Sequence, residues 1–384
     1  MNKTNKQENY MLKKYYSLYI LVVVAAIILG ACGTTANASP STPASGEASS
    51  GSVQIIGAGS TFAQPVYTEW IYAYQYVDPS VSLNYQGIGS GGGKKAVIDN
   101  TVDFAGSDSV LSADEYTAGN DLQMYPTLAG AVVPIYNLQG LSQTLTLDGS
   151  ALVGIYSARI AKWNDPAIVA LNPGIDLPDA PITAVHRSDG SGTTEIFTNA
   201  LSAFSSDWKS NVGAGTSVQW PVDKAGNGIG GKGSQGVAAA VQNTPDSIGY
   251  VELSYAIANK IPFADMVNRA GNKVTANADS MTSAMNDFAS SFSPQLTNTI
   301  VDGPGANSWP IAGYTYLILH TNSMTDCVKA QKLLEFFKWA LTDPGAANRA
   351  ADLGYSVLPE AVSTQVLSKF EDVTCHATPV LSNP

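Results

Sequence analysis

Four times along this chain a short apolar run opens into glycine, serine and threonine, and that recurrence restricts the fold more than any other feature. The runs are "VQII" (53–56) leading to "GAGSTF", "VSLNYQ" (81–86) leading to "GIGSGGG", the segment "VDFAGSDS" (102–109), and "ITAVH" (182–186) leading to "RSDGSGT". Helical patterns follow three of them: "PVYTEWIYAYQY", whose Pro65 suits a first turn, "KKAVIDN" (94–100) and "TEIFTNAL" (194–201). Strands alternating with helices predict an α/β protein built on an open sheet, in which ligands sit beyond the carboxyl ends of the strands. A helix that starts there presents unpaired backbone N–H groups and the positive end of its dipole. Further strands are expected at 130–137 and 315–320, and a helix at 330–341 that "TDPG" stops.

The N-terminus bears on location. Lys13 and Lys14 precede the uncharged, almost wholly apolar run Leu18–Leu29, which is short of the roughly 20 residues a spanning helix needs and reads as a signal peptide over residues 1–31. It ends in "LGAC", which resembles the bacterial lipobox. That resemblance implies lipidation of Cys32 and a protein exported and anchored to the outer face of the cell membrane; the alternative is a plain membrane anchor beside an unrelated cysteine. Residues 33–52 contain no Val, Ile, Leu or aromatic and predict a flexible tether of about 25 Å root-mean-square length. The remaining body, residues 53–384, is long for one core and natural for two domains.

Composition narrows the partners. The chain carries a formal charge of −11; loss of residues 1–31 removes four lysines and Glu8 and leaves −14. Nucleic acid is therefore not expected as a partner, and an anionic ligand must be held by local hydrogen bonds and dipoles against the overall field. His186, His320 and His376 lack metal-ligand spacing, so no metal or other cofactor is expected. Apart from Cys32 the cysteines are Cys327 and Cys375, and the sequence leaves open whether they pair.

Two glycine motifs fail on mechanism. Gly228, Gly230 and Gly233 match G-x-G-x-x-G, but no clear strand precedes them; Gly226–Lys232 matches a Walker A motif except that Gly233 stands where a hydroxyl residue must ligate magnesium. Neither Ser90 nor Ser191 lies in G-x-S-x-G, and a triad of Ser191, His186 and Asp189 crowds three residues into one turn, which argues against a hydrolase. Anion binding accounts for more of residues 186–194, "HRSDGSGTT". Arg187 offers planar charged donors, Ser191 and Thr193 offer hydroxyls, and Gly192 admits close approach to a backbone N–H at the start of a helix. For this segment alone, a helix cap beside a surface arginine remains an equal reading.

Taken together, "GAGSTF", "YQGIGSGGG", "NTVDFAGSDS" and "RSDGSGT" closely resemble successive ligand-binding segments of the phosphate-binding protein of bacterial phosphate ABC transporters. The likeness continues through "LNPGIDLP", "DWKSNVGAGTSVQWPV", "GGKGSQGVAAAVQ", "IGYVE" and "WPI", over most of residues 53–358. It implies a two-lobed periplasmic-binding-protein-like (class II) fold with two crossing hinge strands, lobe I comprising 53–126 and 309–384 and lobe II 127–308. It further implies a monomer that makes and breaks no covalent bond, binds inorganic phosphate and delivers it to an ABC permease. The implied phosphate-binding residues are Thr61, Phe62, Ser90 and Asp108 from one lobe and Arg187, Ser191, Gly192 and Thr193 from the other, with Asp189 steadying Arg187. Asp108 would accept the proton that phosphate retains near neutral pH, which sulfate lacks. Arsenate, sulfate and molybdate stay open as alternative ligands, a secreted hydrolase or an adhesive lipoprotein as further alternatives. His186, where a second basic residue is expected, reads as a strand-end histidine, and the segment beyond residue 358, with Cys375, has no counterpart.

Overall fold

A computed structural model describes residues 52–141 and 143–381. The expected signal peptide, Cys32 and all of the tether but Ser52 lie outside the described residues. Among the described residues no helix is long and apolar enough to cross a membrane.

In chain order the strands are β1 (Val53–Gly59), β2 (Val81–Gly87), β3 (Phe104–Ser107), β4 (Leu122–Asn137), β5 (Thr146–Asp148), β6 (Thr183–Arg187), β7 (Gly228–Gly231), β8 (Ser247–Glu252), β9 (Asp265–Val267), β10 (Lys273–Val274), β11 (Ala312–His320), β12 (Ser356–Val357), β13 (Thr374–Cys375) and β14 (Thr378–Pro379). The helices are α1 (Gln64–Tyr74), α2 (Ser90–Ile98), α3 (Ala113–Gly119), α4 (Gly149–Tyr156), α5 (Pro166–Leu171), α6 (Gly192–Phe204), α7 (Ser206–Asn211), α8 (Pro221–Ala225), α9 (Gly233–Asn243), α10 (Leu253–Ala258), α11 (Ala278–Asp287), α12 (Cys327–Thr342), α13 (Pro344–Asp352) and α14 (Glu360–Phe370). The main sheet runs β2-β1-β3-β11-β4-β8-β6-β7, with β12 paired to β4; β10-β9-β5 forms a small second sheet.

The long strand β4 is what joins the two parts of the main sheet. Its residues 122–131 pair antiparallel with β11, and from Val132 to Asn137 it pairs antiparallel with β8. The return passage lies just before β11, where the Val132 N–H donates to the Ile311 carbonyl over 2.9 Å and the Trp309 indole donates to the Val132 carbonyl over 3.0 Å. Apolar packing divides the same way. Tyr67, Trp70, Tyr85, Phe104 and Phe337 interlock on one side, and Tyr156, Phe197, Trp220 and Tyr250 on the other. Their edge-to-face and offset contacts each add modestly to the burial of large apolar surfaces.

Two local features depart from expectation and a third adds to it. The helix expected at 94–100 begins four residues earlier, at Ser90, with Gly89 as its N-cap at φ +83°. Three glycines in the first turn cost helix propensity, but packing requires at least one, since a Cβ on Gly93 would lie 2.5 Å from Gly59 Cα. The glycine-rich segment 224–236, which holds the two rejected glycine motifs and where no strand is expected, contains edge strand β7, paired parallel with β6 from Ala184↔Gly228 to Arg187↔Gly231; tertiary pairing outweighs glycine's poor strand propensity. "TDPG" does end a helix, yet Asp343 also starts another. Its carboxylate accepts from the Ala346 N–H and Pro344 occupies the first turn of α13.

The segment beyond residue 358 forms α14 and the β13–β14 hairpin, and Cys375 is disulfide-bonded to Cys327 at the start of α12, with Cα atoms 5.4 Å apart.

Candidate functional site

Register places the donor-rich turns side by side. Strands β1, β2 and β3 are parallel, with Gly59 opposite both Gly87 and Gly106. Their carboxyl ends therefore deliver Ser60–Phe62, Gly89–Ser90 and Asp108 to one rim. Across from them, β6 ends at Arg187 and leads into α6, whose N-cap Ser191 accepts the Thr194 N–H over 3.0 Å.

Asp108 is buried and collects donors on its own side of the site. The Ser60 hydroxyl lies 2.5 and 2.7 Å from its two oxygens, Thr315 donates over 2.8 Å and Ser90 over 3.2 Å. Burial raises its pKa from 3.8 to about 6, against the lowering influence of the Ser60 and Thr315 hydrogen bonds, the Arg187 charge and Ser90. The carboxyl thus titrates close to neutrality.

Arg187 is equally buried and its guanidinium is fixed. Nε donates to Asp189 Oδ1 over 2.8 Å and Nη2 to Oδ2 over 2.6 Å, a bidentate pair. Burial works against the Asp189 carboxylate, but the Arg187 hydrogen bonds and charge outweigh it and hold the carboxyl below its ordinary range. Asp189 Oδ1 also accepts the Gly233 N–H over 2.9 Å, which ties the pair to the start of α9. The Arg187 N–H donates to Tyr250 Oη over 3.2 Å, and Tyr250 meets the Thr194 hydroxyl at 2.7 Å.

The two groups of turns touch. A Cβ on Gly192 would stand 2.5 Å from Ser90 Oγ and 2.6 Å from Asp108 Oδ2, so only glycine fits there, and the Gly91 N–H donates to the Gly190 carbonyl over 3.0 Å. The Thr61 hydroxyl accepts the Ser234 N–H over 3.1 Å and lies 3.0 Å from Ser234 Oγ. Thr193 is buried with its hydroxyl unpartnered among the described residues. Thr61, Phe62, Ser90, Asp108, Arg187, Asp189, Ser191, Gly192 and Thr193 are therefore brought to one place by separate elements. No triad forms among Ser191, His186 and Asp189: His186 Nε2 meets Asp223 at 2.8 Å, its Nδ1 meets the Arg187 carbonyl at 3.0 Å, and its ring stacks on Trp220.

Sequence reading passed over several contributors. Ser60 stands inside "GAGSTF" and was within reach. Thr315, Ser234, Tyr250, Tyr255, Tyr355 and Glu252 become visible only through long-range contacts, the Thr315–Asp108 pair being separated by 207 positions.

An α/β chain whose long strand crosses between two parts of one sheet, with helix N-termini gathered around a buried arginine, defines the two-lobed periplasmic-binding-protein-like fold. The family model of the PBP superfamily domain matches residues 38–344. The phosphate-binding protein PstS of Xylella fastidiosa (strain Temecula1) is 40% identical over 335 residues, covering 87% of this chain and 89% of that protein. PstS of Pasteurella multocida is 39% identical, covering 83% and 90%. On these matches the chain belongs to the PstS family of phosphate-binding proteins. The crystal structure of a phosphate-binding protein from Stenotrophomonas maltophilia shares the fold, with a TM-score of 0.62 at 22% identity, over 83% of this chain and 94% of that one.

Proposed function

We propose that this protein binds inorganic phosphate outside the cytoplasm and delivers it to an ABC permease for import, without catalysing a reaction. The observation that carries this reading is the buried carboxyl of Asp108 facing the N-terminus of α6 across Gly192. An anion site containing a carboxyl acceptor suits an oxyanion that still bears a proton. In this reading Thr61 and Phe62 donate from the β1 turn, Ser90 from the first turn of α2, and Arg187, Ser191, Gly192 and Thr193 from the β6–α6 turn. Asp108 accepts the P–OH, and Asp189 holds the guanidinium in place. The unpartnered Thr193 hydroxyl and the helix N-termini support it.

Residues 53–126 with 309–384 form lobe I and residues 127–308 lobe II, which close on the ion as a hinged pair. Water excluded from the crevice makes each charged hydrogen bond worth about 1.5 to 3 kcal/mol. A lipid on Cys32 holds the monomer at the outer face of the membrane, with the tether giving it reach. Sulfate and molybdate, fully ionised, leave two acceptors facing each other; arsenate is protonated like phosphate and competes.

The test is calorimetry on residues 33–384 stripped of bound ion. Phosphate is expected to bind at micromolar concentration or below, with sulfate weaker by about 10⁴ or more, the order expected when a required donor is missing. No phosphate binding at micromolar concentration would overturn the reading.

A further inference from the structure

Behind the β1 turn, two tyrosines grip consecutive carbonyls. Tyr255, on α10, donates to the Thr61 carbonyl over 2.7 Å, and Tyr355 donates to the Phe62 carbonyl over 2.6 Å. The Tyr355 ring also packs edge-to-face on Phe62. Tyr355 Oη lies 2.9 Å from Glu252 Oε2 and 3.2 Å from Ser254 Oγ, while Glu252 Oε2 accepts the Ser254 N–H over 2.8 Å and contacts the Ser254 hydroxyl. Glu252 is fully buried, and its Oε1 has no hydrogen-bond partner among the described residues.

Counting hydrogens decides the protonation state. The Phe62 carbonyl can only accept, so Tyr355's single hydrogen is committed there. The contact between Glu252 Oε2 and Tyr355 Oη then needs a hydrogen of its own, and a carboxylate has none. With a proton on Oε2, the shorter contacts are all satisfied: Glu252 donates to Tyr355, Tyr355 to Phe62, and the Ser254 N–H and hydroxyl to Glu252, which leaves only the longer Ser254–Tyr355 contact without a hydrogen. An ionised Glu252 would instead compete with Phe62 for the tyrosine hydrogen and leave a charged oxygen buried without a partner.

We infer that Glu252 is held as a neutral carboxylic acid and acts as a positioning residue, fixing through Tyr355 the Phe62–Ala63 peptide, whose Ala63 N–H donates to the Ser60 hydroxyl on Asp108, and with it the backbone of the turn that carries the Phe62 N–H, so that loss of its proton weakens phosphate binding. The inference rests on the phosphate reading above. Burial, opposed by the Ser254 and Tyr355 hydrogen bonds and reinforced by the charge of Asp108, brings the Glu252 pKa up to about 8. The titratable groups around it are Asp108, whose charge acts in the same direction, and Tyr255 and Tyr355, both kept neutral by burial. Asp108 titrates near 6, below the range tested, and the proton that phosphate itself loses near neutrality affects wild type and variant alike, so the comparison between them isolates Glu252.

Two readouts on the full exported chain test this. Phosphate affinity of the wild type, titrated by calorimetry from pH 7 to pH 9.5, is expected to fall about tenfold, the consequence of an acceptor losing its donor. The conservative variant Glu252→Gln, which is uncharged and cannot ionise, is expected to bind without that alkaline fall, and Tyr355→Phe to bind about tenfold more weakly across the range. The same alkaline fall in Glu252→Gln would overturn the inference. Infrared spectroscopy of the ligand-free protein gives a readout independent of phosphate. The C=O stretch of a buried protonated carboxyl should be present at pH 7, vanish in alkali and be missing from Glu252→Gln. If the wild type binds no phosphate at any pH while this band behaves as expected, the phosphate reading fails and the proton on Glu252 stands; absence of the band overturns the proton.

Discussion

Gly192 shows how much a single missing methyl group can decide. Its position between Ser90 and Asp108 leaves no room for a Cβ, yet it is also the first residue of α6, where alanine is the better helix former. The clash outweighs the propensity. Gly192→Ala is expected to lower the melting temperature, because Ser90 and Asp108 must shift to admit the Cβ, and to weaken phosphate binding at least tenfold, about 1.4 kcal/mol. Melting curves and calorimetry on the same sample check both; undiminished affinity would mean that Gly192 is not in the crevice that closes on the ion. At this scale the sequence was most readable where chemistry is local. Arg187 and Asp189 stand two positions apart, and the family resemblance already implied their pairing, whereas the hydroxyls of Ser60 and Thr315 on Asp108 depend on strands brought together by the sheet. His186 needed the structure as well, because its partners Asp223 and Trp220 lie beyond α6, α7 and a loop.

Elements were legible wherever their pattern was strong, and their ends were not. Strand β4 extends eight residues ahead of the apolar run expected at 130–137, because its first half is paired with β11 and its second with β8. The early start of α2 and the strand inside the glycine-rich segment were hidden for one physical reason. Glycine's intrinsic preference opposes both elements, and only close packing or sheet pairing reverses it. The C-terminal elements, α14 and the β13–β14 hairpin, had no signal beyond Cys375. The disulfide now explains how they are tied: it links the hairpin to α12 across 48 positions. Replacing Cys327 and Cys375 by serine is expected to cost about 2–5 kcal/mol of stability, read as a lower midpoint in denaturant. Phosphate affinity should stay within about twofold, since among the described residues no hydrogen bond links α12 or the hairpin to the turns around Asp108, and Phe337 of α12 packs on Phe104 and Tyr67 far along the helix from Cys327. A large loss of affinity at unchanged stability would contradict that separation.

For the whole molecule, fold and site were foreshadowed by the same feature, a set of strand ends opening into donors. What the sequence lacked was strand order, which alone brings residues near 60, 90, 108 and 190 together. The resulting site combines a guanidinium, hydroxyls and helix N-termini with one buried carboxyl, and the account rests on that carboxyl reading a proton. The most direct measurement is the ratio of phosphate to sulfate affinity, by calorimetry at neutral pH, for the wild type and Asp108→Asn. An asparagine amide can donate to a fully ionised oxyanion. The account therefore predicts that the ratio falls by two orders of magnitude or more, on the scale of a required donor–acceptor match (about 10⁴). An unchanged ratio would contradict it.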